Sequence, residues 1–393
     1  MQIYVVQRGD NVDQIAAKFN IRTERLIYEN QIDPPYRLAV GQALLIRSDA
    51  EAVGESSETI GGIGTIGMRP PLETNGYAYP YIKEEILNET LPFLTDLSIF
   101  SYGFTEEGDL IPPKLDAAWM INAARSKRTR PMLVLTPLGA DGRFNSYLVT
   151  RLVNDSKMQQ RLIRQLWIEM EEMDYGGVDM DFEYVQAEDR VGYAEFVSRA
   201  TRTLNVFGYK VSVALAPKTS RGQRGLLYEG IDYRLLGEAA NQVMLMTYEW
   251  GYTYGPPMAV APINMVRRVV EYALTEIPAE KISLGIPNYG YDWPLPFEKG
   301  VTKAESIGNK EAVQIAIDKG VDIKFDETAQ SPHFTYWQYG IQHEVWFEDV
   351  RSIAAKFDLI KEFGLRGAGY WQIMTFFRPN WLLADGEFLI QKV

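Results

Sequence analysis

The chain has 393 residues, 46% of them apolar, with a formal net charge of −12 and no cysteine. That length exceeds one small domain and suits a barrel of about 250 residues or more plus an accessory module. The acidic balance argues against nucleic acid as a partner, because phosphate binding needs a basic face, and the missing cysteines remove disulfides, thiolate chemistry and Cys-ligated zinc.

In chain order, residues 1–6 lack a basic region and run straight into a strand-like segment, so no signal peptide is expected. Residues 1–48 read as one βααβ unit. A strand ends near Val6, Gly9-Asp10-Asn11 is a turn, and Ile15, Ala16 and Phe19 share a helical face. Thr23 is placed to cap a second helix, Asp33-Pro34-Pro35 breaks it, and Ala43-Leu44-Leu45-Ile46 returns as a strand. The phrases Tyr4-Val5-Val6-Gln7-Arg8-Gly9-Asp10-Asn11-Val12, Ile15-Ala16-Ala17-Lys18-Phe19 and Val40-Gly41-Gln42-Ala43-Leu44-Leu45-Ile46 resemble a LysM domain. The resemblance implies a groove for N-acetylglucosamine-containing glycans, lined by Gly9, Asp10, Asn11, Val12 and Ile32 within the segments 9–12 and 32–36. A cap without ligand is the bland alternative.

Residues 49–69 are acidic and small, then glycine-rich, and read as a flexible linker or a segment lying loosely on the surface. From residue 70 to 393 short apolar runs alternate with helical patterns, the mark of βα units and a parallel sheet. Eight strands are expected at 74–79, 96–102, 131–136, 177–183, 210–216, 242–248, 281–287 and 366–372. Met158, Leu162, Leu166 and Met170 recur every fourth residue on one helix, with Ser156 as its cap. Eight units close a (β/α)₈ TIM barrel, an α/β fold whose catalytic groups belong at the strands' C-terminal ends. The stretch between strands seven and eight is too long for one helix and predicts a small α+β insertion, with strands near 324–326 and 335–339.

The stretch that carries chemistry is Gly176-Gly177-Val178-Asp179-Met180-Asp181-Phe182-Glu183. On a strand, Val178, Met180 and Phe182 face one side, and Asp179, Asp181 and Glu183 face the other. Carboxylates so close repel, so at least one should stay protonated near neutral pH, as glycoside hydrolysis requires of its acid. A charged edge strand or a metal-binding carboxylate cluster would give the same pattern.

This stretch resembles the Asp-Gly-x-Asp-x-Asp-x-Glu signature of family 18 glycoside hydrolases, with Gly176 in place of the first Asp. The resemblance implies Glu183 as proton donor, Asp181 orienting the substrate's 2-acetamido group, Asp179 sharing a proton with Asp181, and Tyr248 hydrogen-bonding the acetamido oxygen. Trp371 would floor the −1 sugar. Met246, Glu249 (where the family usually has Asp), Tyr77, Tyr102, Asn288 and Tyr289 are further expected sugar contacts. The run Tyr248-Glu249-Trp250-Gly251-Tyr252-Thr253-Tyr254 and the run Gly285-Ile286-Pro287-Asn288-Tyr289-Gly290-Tyr291 resemble the spore cortical-fragment-lytic branch of that family. That branch implies a retaining N-acetylglucosaminidase acting on spore cortex peptidoglycan during germination. It also implies a monomer, deposited from the mother cell near the coat–cortex boundary, with no cofactor, metal, nucleic acid or membrane partner. A chitinase and a non-catalytic glycan-binding barrel are the alternatives. His333 and His343 fit neither a triad nor a ligand spacing and are expected to be structural.

Overall fold

The computed structural model describes residues 1–48, 69–139 and 142–393; nearly all of the expected linker lies outside the described residues. Eight parallel strands close into a ring: Pro71–Ala78, Asp96–Phe104, Arg130–Leu135, Gly177–Met180, Lys210–Leu215, Gln242–Leu245, Ile282–Pro287 and Gly367–Trp371. The first strand pairs in parallel with both the eighth and the second, which shuts the barrel. Helices sheath it, and the two layers are joined by a continuous apolar core.

Strand four begins where the helix Ser156–Met173 stops. That helix buries Met158, Leu162, Leu166 and Met170, as their spacing predicts. Its cap is Asp155 rather than Ser156: the Asp155 carboxylate accepts from the amides of Lys157 and Met158 at 2.9 and 3.1 Å, and Ser156 is the first helical residue. Asp174 then turns left-handed at φ 62°, and the chain enters the barrel.

The base of the barrel is held by an ionic layer. Lys210 Nζ lies 2.7 Å from Asp96 and 3.2 Å from Glu73, Arg130 Nε lies 2.8 Å from Asp96, and Arg366 also pairs with Glu73. Arg130 accounts for the departure at Gly176, since a Cβ there would stand 2.3 Å from Arg130 Cγ.

Between strands seven and eight lies a five-stranded antiparallel sheet with the helix Asn309–Lys319. The expected strands appear as Lys324–Asp326 and Ser331–Gln338, and three more join them: Tyr289–Leu295, Glu305–Gly308 and Ile341–Trp346. Both histidines serve this sheet. His343 Nδ1 is 2.9 Å from Asp292, and the His333 ring stacks on Trp346 at 4.3 Å.

The N-terminal unit is a two-stranded sheet, Gln2–Val5 with Ala43–Ile46, and two helices, Val12–Lys18 and Thr23–Glu29. Thr23 is not the cap expected of it. It is already helical, and its hydroxyl donates to Asp13 at 3.0 Å. This unit is docked on the barrel. Leu45 is fully buried in the barrel's own core cluster, and Ala39 joins the insertion's. Arg378 lies over the Tyr28 ring at 4.0 Å, and its amide donates to Gln31 at 2.7 Å. Ion pairs join Arg8 to Asp322, Arg37 to Asp318 and Asp33 to Lys310. At Gly41 (φ 85°) the backbones approach so closely that a Cβ would stand 1.9 Å from the Ile323 carbonyl oxygen, while Ile323 N–H donates to the Val40 carbonyl at 2.8 Å.

Gly41→Val should therefore lower the thermal midpoint, by an overpacking cost of about 1–3 kcal/mol. It should leave hydrolysis of a small soluble glycoside unchanged. A melt at the wild-type temperature would show that this contact does not hold the unit in place.

Candidate active site

Strand four ends at Met180, so Asp181 and Glu183 lie just past it rather than within it. Val178, Met180 and Phe182 still point into the helix-side core. The Phe182 ring lies 5.1 Å from Tyr193 and 5.8 Å from Phe104. The alternation persists beyond the last ladder bond because packing on the apolar side holds it. The acids consequently face the barrel axis, from the buried Asp179 through Asp181 to the half-buried Glu183 at the mouth.

Their surroundings differ by depth. Asp179 is fully enclosed and accepts hydrogen bonds from Tyr77 Oη at 2.8 Å and from the Ser212 hydroxyl. Burial raises its pKa, and those two donors partly offset the rise. Asp181 has no such help: Oδ1 is buried without a partner among the described residues. Burial, then the charges of Glu183 and Asp179, push its carboxyl well above the usual range. Glu183 is raised by burial and then by the charge of Glu249. The protein thus favours keeping protons on this ladder, as an acid catalyst needs.

The ladder opens into a cleft of about 720 Å³ whose lining includes Asp181, Glu183, Tyr77, Met246, Tyr248, Glu249 and Trp371. Trp371 ends strand eight and forms part of the floor, its ring 5.9 Å from Tyr77 and 5.2 Å from Phe100. Tyr248 packs beside Gly285, where any Cβ would come within 2.9 Å of its ring. Glu249 takes a left-handed conformation (φ 66°), and its carboxylate accepts from Tyr291 Oη at 2.9 Å and from Tyr289 Oη. It is wetted by the open cleft, yet the enclosing walls still raise its pKa.

Three expected sugar contacts are corrected. Tyr102 does not reach the cleft. The pairing of strand two shifts register between Ile99 and Tyr102, which turns Tyr102 outward, where its hydroxyl donates to Glu169 at 2.8 Å. Phe100 takes the inward position instead. Asn288 is buried behind the cleft and ties the end of strand seven to the loop after strand eight, its amide donating to the Thr375 carbonyl at 2.7 Å. Tyr289 acts at one remove, by holding Glu249.

Sequence reasoning missed Phe100, Tyr79, Tyr184, Tyr252 and Tyr291, all of which line the cleft. Tyr79 continues the alternation from Tyr77, and Tyr252 and Tyr291 stand in aromatic runs, so a signal existed for those three. Tyr184 is turned to the mouth by a left-handed backbone (φ 58°) that no pattern announces.

In the N-terminal unit, Val12 and Ile32 are core residues. Asp10 accepts from Tyr4 and Gln7, Asn11 caps the first helix through Gln14 N–H, and Gly9 is an exposed turn (φ 92°).

This chain belongs to family 18 of the glycosyl hydrolases: the family's model matches residues 95–375, and a LysM model matches residues 4–47. It is a glycoside hydrolase built on a TIM barrel. Among particular proteins, it is 38% identical over its whole length to a cortical fragment-lytic enzyme of Bacillus subtilis, of which 99% is covered, and 35% identical to one of Bacillus anthracis. The crystal structure of the Bacillus cereus spore cortex-lytic enzyme SleL superposes with a TM-score of 0.92 at 34% identity, covering 100% of this chain and 98% of that one. A Chromobacterium violaceum chitinase shares the fold at 22% identity and a TM-score of 0.75 over 80% of this chain.

The sign of the Glu249 effect gives a test. Its negative charge raises the pKa of Glu183; with Glu183 as the proton donor that the family resemblance leads one to expect, activity falls as pH rises through that pKa. Glu249→Gln should move the alkaline limb of kcat/KM to lower pH. A limb that stays in place would separate Glu249 from the acid.

Proposed function

We propose that this protein is a retaining, substrate-assisted N-acetylglucosaminidase that cleaves the glycan strands of spore cortex peptidoglycan during germination. The observation that carries the reading is the inward ladder Asp179–Asp181–Glu183, with Tyr248 and Trp371 in the same cleft. The cortex assignment is supported by the full-length likeness to enzymes named for that substrate.

Glu183, protonated at the mouth, gives its proton to the bridging oxygen. The acetamido oxygen of the −1 sugar attacks the anomeric carbon, forming an oxazolinium ion and replacing the second carboxylate of ordinary retaining enzymes. The free Oδ1 of Asp181 accepts the acetamido N–H, and Asp181 balances the positive charge as the proton it shares with Asp179 moves to Asp179. Tyr248 Oη donates to the acetamido oxygen and fixes its line of attack. Trp371 offers an apolar floor for the ring. Glu183, now ionised, takes a proton from water as it opens the oxazolinium, so configuration is retained.

The −1 sugar must carry a rotatable acetamido group. N-acetylglucosamine has one, whereas muramic-δ-lactam has its nitrogen locked in a ring. Cleavage therefore follows N-acetylglucosamine. On this reading the LysM unit holds the glycan, and the enzyme is a monomer placed at the coat–cortex boundary by the mother cell.

Glu183→Gln should lower turnover on cortical fragments by about 10²–10⁴-fold while sparing binding. Mass spectrometry of wild-type digests should show reducing N-acetylglucosamine ends; reducing muramic ends would overturn the assignment, and faster release from chitin than from cortex would make it a chitinase. Asp181→Asn supplies an independent check. Because the folded-state pKa of Asp181 is raised, ionising it costs stability above the pH at which it titrates in the unfolded chain. The variant should thus melt a few degrees higher at pH 7, equal wild type in acid, and lose activity.

A further inference from the structure

Lys218 stands just past the end of strand five, at the root of an irregular segment, residues 216–232, that leads to the helix Tyr233–Ala239. Connections of this length with no helix or strand of their own are uncommon in compact domains and usually functional. This one walls the catalytic cleft through Leu227 and Tyr228. Its internal hydrogen bonds run between near neighbours, from Thr219 to Gln223, from Gly225 to Glu229 and from Tyr228 to Gly225.

At its far end the loop presses on the segment that carries Glu183. Gly230 packs so closely there that a Cβ would stand 2.0 Å from the Val185 carbonyl oxygen. Val185 is buried, and the two residues before it, Glu183 and Tyr184, line the cleft. The backbone at 228–231 is therefore the backstop of the acid-bearing segment.

Lys218 ties the root of the loop to that backstop. Its ammonium donates to the Tyr228 carbonyl at 3.1 Å and to the Ile231 carbonyl at 2.7 Å. Its amide donates at 2.9 Å to the Tyr233 hydroxyl, which in turn donates to the Ala216 carbonyl at 2.7 Å. Lys218 is 3% exposed. Among the described residues it has no ion-pair partner: Asp232, whose charge reaches it, is turned to the Leu235 amide and to Arg190. Burial accordingly lowers its pKa. An ammonium buried without a counter-ion is costly, and a neutral chain of like length would fill the same space. What the cation adds is a pair of charge-assisted bonds to two carbonyls at once.

We propose that Lys218 is a positioning residue for hydrolysis: by clamping the Tyr228 and Ile231 carbonyls it holds residues 219–231 against Val185, and so fixes both the Tyr228 wall and the place of Glu183. It touches neither the substrate nor the reacting atoms. The clamp rests on the geometry alone; its consequence for turnover rests on Glu183 as the acid of the function proposed above. Misplacing a reacting group by about 1 Å costs on the order of 10²-fold in rate, so a loosened backstop is felt in kcat with every catalytic atom still present.

The test uses the full chain with Lys218→Met, which keeps an apolar stem and removes the cation. In hydrogen–deuterium exchange of the unliganded protein, residues 183–186 and 226–231 should exchange several-fold faster, while strands two and seven exchange as in wild type. On cortical fragments kcat should fall about tenfold to a hundredfold, by more than KM rises. The chain has no cysteine of its own. Lys218→Cys, alkylated in denaturant with 2-bromoethylamine and refolded, therefore regains an ammonium at one place and should recover most of kcat, measured against wild type put through the same steps. Alkylation with 1-bromopropane, which gives the same length without the charge, should not. Lys218→Gln, whose neutral side chain is too short to span both carbonyls, should act as the first variant does and serves if that one folds poorly. Wild-type kcat with wild-type exchange at residues 183–186 would overturn the role, as would faster exchange throughout the barrel with no recovery by the restored ammonium. Faster exchange at 183–186 in Lys218→Met, beside a wild-type chain that leaves cortical fragments intact, would uphold the clamp and defeat the proposed function instead.

Discussion

The structure depends on placing three carboxyl groups, one above another, along the axial side of strand four and just past its end. Like charges held this close repel, and more strongly away from water, which raises carboxyl pKa values. Such a stack survives only if protons stay on it or donors are supplied to it. The chain does both. Tyr77 and Ser212 serve the deepest acid, the middle acid is left with a bare oxygen, and the outermost shares the mouth with Glu249. Burial raises all three carboxyls, and the outermost stands nearest the solvent.

The apolar side of the same segment makes this arrangement possible. Phe182 is clamped among Phe104, Tyr193 and Phe196, so the backbone keeps its alternation after the hydrogen-bond ladder has ended. At the opposite end of the barrel, the charged layer of Glu73, Asp96, Lys210, Arg130 and Arg366 supplies opposite charges in pairs. One end of the barrel thus neutralises its acids with cations, and the other leaves them to hold protons. The first end maintains the fold; the second does chemistry.

The N-terminal unit adds a constraint of another kind. Its contacts to the barrel include a buried leucine, a cation over an aromatic ring, ion pairs and a backbone approach that admits only glycine. The exposed ion pairs contribute little by themselves. The apolar and backbone contacts set the geometry, and they hold the segment 30–37 against the insertion.

Much of this was legible in the chain. The period of two in Val178-Asp179-Met180-Asp181-Phe182-Glu183 determined which side chains face the axis, and the βα alternation determined the barrel, because both are local consequences of backbone geometry and hydrophobic burial. Tyr248 and Trp371 were picked out by their match to the family's tyrosine and tryptophan, and both line the cleft. Tyr102, Asn288 and Tyr289 were misplaced because their directions depend on a register shift, a loop closure and a partner some 40 residues away. Ser156 and Asp155 were confused because either residue type caps a helix, and only backbone angles tell them apart. The docking of the LysM unit on the insertion had no sequence signal at all. Its contacts join residues some 280 positions apart, and such a surface exists only once both units have folded and met.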